Sequence, residues 1–295
     1  MNNFLKQTLI FQNIFGINES FDFITGRDFF AKPSSTPRDN HITTQQTSCN
    51  IQTANNQVIN KTAHLDQMTE QKTTSYENQT AHPENNKDPN YNIDLSNIQD
   101  FDSLIIAIKE FNGCSLKRHA TNDVIFDGNK NAKIMLIGEA PGENEDLEGK
   151  PFCGQSGKLL RKALSCINLT TENMLITNTV YWRPPDNRKP YQDEISICLP
   201  FLKKMINLVK PQIVILCGAT AIETILGTKQ KMSEITGKIQ SIQINLNNQS
   251  GTAIETTELK CFPIYHPSYL LRVPSMKKTF WKHLLILKDI IDKAR

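Results

Sequence analysis

Glu139 follows directly on the apolar run Ile134-Met135-Leu136-Ile137-Gly138 and is held by Ala140-Pro141-Gly142. A strand closed by such a turn presents its carboxylate at the carboxyl edge of a sheet, where open α/β folds bind ligands. Pro151-Phe152-Cys153-Gly154 lies shortly downstream. Two further strand-like runs end at Asn178 and His266. These are an acid, an aromatic ring, an amide and an imidazole. At equivalent edges they suit the holding of a flat heterocycle and the breaking of a bond to it. The ring can stack on a base. The amide donates and accepts at once, which a carboxylate cannot do. The acid can orient water, and the imidazole can donate to an oxygen that gains charge.

The elements that must position them alternate between strand and helix. Helical patterns cover 102–111, 156–167, 191–209, 219–226 and 279–293. Short apolar strands cover 134–137, 174–177, 213–216 and 260–265. This alternation predicts a three-layer α/β/α fold with a central, mainly parallel four-stranded sheet. In a parallel sheet all carboxyl ends point one way. The residues just past them are Glu139, Asn178, Gly218 and His266, and three of these four carry groups able to do chemistry.

The chain has 295 residues of uneven composition. Residues 1–95 carry 7 Lys and Arg against 10 Asp and Glu, which leaves 26 against 20 in the rest. The mild basic excess of the C-terminal part suits a polyanionic partner. Phe4, Leu5, Leu9, Ile10, Ile14 and Phe15 recur at helical spacing, so 1–30 reads as an amphipathic segment. The stretch 31–94 is rich in Asn, Gln, Thr and Ser and reads as a disordered linker. The globular domain is then 95–295. No run approaches the roughly 18 apolar residues of a membrane span, so no membrane partner is expected. The N-terminus lacks the pattern of a secretory signal. Seven scattered cysteines, an odd number, point to a reducing cytoplasm.

Gly138-Glu139-Ala140-Pro141-Gly142, with Glu145-Asp146, Gly149, Pro151-Phe152 and Gly154, resembles the first motif of the family 4 uracil-DNA glycosylases. Ile176-Thr177-Asn178, with Arg183-Pro184-Pro185 and Asn187-Arg188, resembles their middle motif. His266-Pro267-Ser268-Tyr269-Leu270-Leu271-Arg272 resembles their last. The resemblance runs from about Phe111 to Lys288. It implies an enzyme of base excision repair that flips uracil out of DNA and hydrolyses its N-glycosidic bond. It implies catalytic roles for Glu139, His266, Asn187 and Glu145, and uracil binding by Gly138, Phe152 and Asn178. On the residues alone Glu145 reads equally as a loop or surface acid, and Asn187 as a helix cap. DNA contacts are implied for Arg183, Arg188, Ser268, Leu270, Leu271 and Arg272. The two leucines are expected to wedge into the space the base vacates. Uracil-containing DNA is the implied partner of a monomeric enzyme.

The family carries a [4Fe–4S] cluster on four cysteines. Here those positions read Phe111, Cys114, Trp182 and Cys198. Two thiolates rarely hold such a cluster, so the expectation is a chain without it, with no other cofactor. Two other readings stay open. One is a non-enzymatic DNA-binding module of the kind associated with phage DNA polymerases. The other is a glycosylase for a different deaminated base, such as hypoxanthine.

Overall fold

The computed structural model describes residues 93–246 and 255–294. The expected segment 1–30, and all but the last two residues of the expected linker 31–94, lie outside them. Six strands form one sheet: β1 (Phe126–Gly128), β2 (Ile134–Gly138), β3 (Met174–Asn178), β4 (Ile213–Cys217), β5 (Gln240–Leu246) and β6 (Glu255–Ile264). Their order is β1-β3-β2-β4-β6-β5. The four expected strands are the parallel centre, β3-β2-β4-β6. β1 and β5 add antiparallel edges that the sequence reading did not include. β1 has three residues, too few for a periodic signal. β5 alternates polar Gln243 with inward Ile242 and Ile244, the pattern of an edge strand with one wet face.

Helices cover both faces. They are α1 (Phe101–Glu110), α2 (Glu143–Glu148), α3 (Gln155–Ser165), α4 (Gln192–Val209), α5 (Ala219–Leu226), α6 (Met232–Ile235), α7 (Pro267–Arg272) and α8 (Met276–Lys293). The period of two along β2 divides the core. Met135 and Ile137 join Leu104, Ile108, Phe201, Leu202 and Met205 of α1 and α4. Ile134 and Leu136 join Leu160 and Leu164 of α3 and Trp281, Leu284 and Leu287 of α8. Strands buried on both faces read as continuous apolar runs, which is why all five residues of β2 are buried. The result is the three-layer α/β/α arrangement. No helix of the described residues is long and apolar enough to cross a membrane.

Register decides what the sheet presents at its edge. Gly138 pairs with Asn178, Ile137 with Leu216, and Cys217 with Ile264. The four central strands therefore end nearly level. Glu139 and Asn178 sit within one residue of that line, and His266 two residues past Ile264.

Candidate active site

At the end of β2 the backbone comes very close to two side chains. A Cβ on Gly138 would stand 2.4 Å from Asn178 Oδ1 and 2.5 Å from Phe152 Cζ. Asn178 and the Phe152 ring tip therefore share the space above Gly138. Asn178 is 2 % exposed, and none of the hydrogen bonds among the described residues uses its side-chain amide. The Phe152 ring lies 6.2 Å from the His266 ring, tilted by 36°. Gly218, at φ 95°, closes β4 in a conformation that favours glycine. A Cβ there would stand 3.1 Å from His266 Cβ. The fourth edge position thus supplies room for the imidazole.

The Phe152 turn is strained and clamped. Phe152 has φ 55°, in the left-handed region that costs a non-glycine residue about 1–3 kcal/mol. Arg161 of α3 donates from Nε to the Phe152 carbonyl at 2.8 Å and from a terminal nitrogen to the Pro151 carbonyl at 2.7 Å. Asp127 of β1 holds that guanidinium at 2.6 Å. A Cβ on Gly157 would meet the Phe152 backbone at 2.2 Å. Glu145 ties the two turns of the first motif together. It accepts from the Gly154 N–H at 2.8 Å and from the Gly142 N–H at 3.2 Å. Its observed work is to hold the loop. Its neighbour Asp146 is buried and accepts from the N–H groups of Thr121 and Asn122.

His266 is the N-cap of α7, and its Nδ1 accepts from the Ser268 N–H at 3.2 Å. The Ser268 hydroxyl lies 2.7 Å from the same nitrogen. A backbone N–H can only donate, so Nδ1 is the acceptor. The proton of the neutral ring is then on Nε2. Burial pushes this imidazole below its ordinary value of 6.5. The charge of Glu139 opposes the shift, and Arg272 adds to it. The site therefore holds a neutral ring with an N–H donor at Nε2.

Several expected DNA contacts prove to be committed elsewhere. Ser268 orients His266. Leu270 is fully buried at 0 % exposure and belongs to the core, whereas Leu271 is 39 % exposed. α7 is short and its faces are distinct, so adjacent leucines point apart. Arg188 makes a two-pronged bond to buried Glu194, at 2.8 and 2.6 Å, and stacks on Tyr191 at 3.7 Å. Glu194 also accepts the Tyr191 N–H at 2.7 Å and so caps α4. Asn187 sits on an exposed 3₁₀ turn and accepts from Arg183 Nε at 2.9 Å. It neither caps α4, whose N-cap is Tyr191, nor is seen to touch Glu139, Asn178 or His266. Arg272 is exposed beside the site. The sequence reading missed Thr220, whose hydroxyl donates to Glu139 Oε2. It missed Thr179, which donates to the Glu139 carbonyl at 2.5 Å, and it missed Arg161. Threonine beyond a strand end carries no distinctive spacing, so nothing in the sequence marked these residues.

The four expected cluster positions form part of a packed core. Phe111 and Trp182 stack at 6.5 Å, and Phe201 meets Phe111 edge-on at 5.1 Å. Trp182 is fully buried, and its Nε1 donates to Asp123 at 2.6 Å. Cys114 and Cys198 are buried free thiols. The hydrogen bond that the Cys198 thiol gives to Cys114, and then burial, push Cys198 well up, and the same bond lowers Cys114. Cluster ligands are thiolates. Two thiols and two stacked rings do not fit a four-thiolate cluster. Among the described residues no group of three or more His, Cys, Asp or Glu is placed to hold a metal ion.

Known proteins place this arrangement. The family model of the uracil DNA glycosylase superfamily matches residues 125–289. The chain belongs to the uracil-DNA glycosylase superfamily. It is 34 % identical to the type-4 uracil-DNA glycosylase of Saccharolobus solfataricus over 196 residues, 66 % of this chain and 88 % of that protein. It is 35 % identical to the type-4 uracil-DNA glycosylase of Sulfurisphaera tokodaii over 202 residues, 68 % of this chain and 84 % of the other. A DNA polymerase of Bacillus phage SP01 is 28 % identical over 191 residues, 64 % of this chain and 18 % of the polymerase.

Two outcomes follow from this geometry. Two-bond ¹H–¹⁵N spectra, with His266→Gln to assign the signals, will show Nε2 protonated and Nδ1 bare at pH 7. The titration midpoint will lie below 6.5. Because folding lowers this pKa, the unfolded chain holds the extra proton below 6.5. The contribution of His266 to stability is thus complete above 6.5 and is lost as pH falls through the native-state value. A midpoint above 6.5 contradicts the assignment. In urea titrations Leu270→Ala will cost about 2–5 kcal/mol, and Leu271→Ala will change stability by less than about 0.5 kcal/mol.

Proposed function

We propose that this chain is a uracil-DNA glycosylase of base excision repair that hydrolyses the N-glycosidic bond of a flipped-out deoxyuridine. The observation that carries the reading is the uncommitted Asn178 amide, buried beside the Phe152 ring at the edge that also holds Glu139 and His266. The amide's donor and acceptor are both open to a ligand, and uracil matches them. The amide N–H donates to the carbonyl oxygen at C4, and Oδ1 accepts from N3–H. Cytosine offers the reverse pattern and leaves both bonds unmade. Extruding the nucleotide costs a few kcal/mol. Stacking on an aromatic ring returns about 1–3 kcal/mol of that. Phe152 is pre-set for this by its clamp.

Bond breaking sends the C1′–N1 electron pair onto the base and leaves a cation-like sugar. The Nε2–H of neutral His266 donates to the carbonyl oxygen at C2, where negative charge gathers. A neutral donor suits that task because no proton is transferred away with the base. Glu139 orients a water toward C1′ and its charge favours the sugar cation. The water oxygen bonds to C1′ and its proton passes to the carboxylate. Leu271 and Arg272, exposed in the last turn of α7, face the DNA. Arg272 contacts phosphate and Leu271 fills the vacated stack. We read Asn187 and Arg183 as one unit on the turn before α4. Asn187 holds Arg183 there as a backbone contact.

The enzyme works without an iron–sulfur cluster, with Phe111 and Trp182 filling that volume, and as a cytoplasmic monomer. Six cysteines among the described residues are free thiols, five of them buried, which suits a reducing compartment. A DNA-binding module is the second reading, favoured by the match to the phage polymerase. A module needs no water-orienting acid and no uncommitted amide, and both stand at this edge.

The purified full-length protein will release uracil from a single-uracil oligonucleotide, so that alkali cuts the strand there. Glu139→Gln and His266→Ala will bind the same DNA and lose at least about 100-fold in kcat. DNA binding without scission by the wild-type protein favours the module. Preferential release of hypoxanthine favours the other base. Iron and acid-labile sulfide measured on anaerobically purified protein will be absent, and about four irons per chain would show that the cluster is bound.

A further inference from the structure

We propose that Thr220 is a positioning residue that fixes the carboxylate plane of Glu139. The inference rests on reading Glu139 as the water-orienting acid. The Thr220 hydroxyl donates to Glu139 Oε2 across 81 residues of sequence. Thr220 is the second residue of α5 and is buried. A threonine inside a helix often returns its hydroxyl to a carbonyl three or four residues back. Here those residues, Cys217 and Leu216, belong to β4, so the hydroxyl is directed away from its own helix. On the other side, the Thr179 hydroxyl donates to the Glu139 carbonyl at 2.5 Å, and the Thr179 N–H donates to the Gly138 carbonyl at 3.0 Å. Glu139 is thereby gripped from both sides, its backbone by Thr179 just past β3 and its carboxylate by the first turn of α5.

The terminal torsion of a glutamate is broad and two-fold. A bond to Oε2 selects one plane and leaves Oε1, which accepts no hydrogen bond among the described residues. Oε1 is then the oxygen that meets water. Thr220 sits behind the acid and touches no substrate. Its removal loosens the aim of the acid and leaves the uracil contacts intact. Small misplacements of a reacting group are costly in rate.

The test compares full-length wild type, Thr220→Val and Thr220→Ser in single-turnover release of uracil. Kd is measured on a duplex bearing 2′-fluorinated deoxyuridine, which resists cleavage. Val keeps the shape and loses the donor, so its rate falls roughly 10- to 100-fold while Kd holds. Ser keeps the donor and restores the rate. Adding Thr220→Val to Glu139→Gln costs no further rate, because the carboxylate whose aim it sets is no longer there to act on water. A Val variant as fast as an active wild type overturns the inference alone. So does a Ser variant as slow as Val. A wild-type chain that releases no uracil overturns the functional reading, and this inference with it.

Discussion

The bare backbone at Gly138 is the constraint on which the site depends. Any side chain there would need the volume that Asn178 Oδ1 and the Phe152 ring already occupy, at 2.4 and 2.5 Å from the nearest possible Cβ. One of those contacts is backbone-fixed through register, since Gly138 and Asn178 are partners in the β2–β3 ladder. The other depends on a turn that the chain does not favour by itself. A parallel ladder places its strand ends level with no further instruction. The loop carrying Phe152 needs a second mechanism.

That mechanism is a set of side-chain hydrogen bonds to the loop backbone. Arg161 takes two successive carbonyl oxygens of the Pro151–Phe152 turn and is itself held by Asp127. Glu145 takes N–H groups from both ends of the same motif. The planar guanidinium fork satisfies several acceptors in fixed geometry, which lysine cannot do. The strain of a left-handed Phe152 is thus offset by groups lying outside the pocket. A preformed wall spares the binding step the cost of ordering it. The same logic applies to His266, whose tautomer is set by Ser268 on the side away from Nε2.

The main lines of the fold were legible because buried parallel strands and amphipathic helices carry strong periodicity. The expected strand at 134–137 appears at Ile134–Gly138, and the expected helix at 191–209 at Gln192–Val209. The antiparallel edges were not legible. β1 is short, and β5 owes its place to pairing with β6. Among site residues, those just past strand ends were readable, because topology alone brings strand ends together. Residues whose work is a hydrogen bond across the fold were not. Nothing local separates Leu270, in the core, from Leu271, at the surface. Arg188 looks like a phosphate contact until the buried carboxylate of Glu194 is seen 2.6 Å away.

The cluster positions show how one packing problem can have two solutions. Four thiolates and a metal cluster hold distant segments by coordinate bonds. Here the loop after α1, the loop after β3 and the middle of α4 meet instead through Phe111, Trp182 and Phe201. Large aromatic residues bury about 150–250 Å² each and gain a further 0.5–1.5 kcal/mol per ring pair. Trp182 also has its polar handle satisfied by Asp123, so its burial leaves no donor stranded. Cys114 and Cys198 persist as small buried residues that share a hydrogen bond. Aromatic packing of this kind depends on neither redox state nor metal supply. The edge bearing Asn178 gains directly, because Trp182 lies four residues beyond it on the same connection.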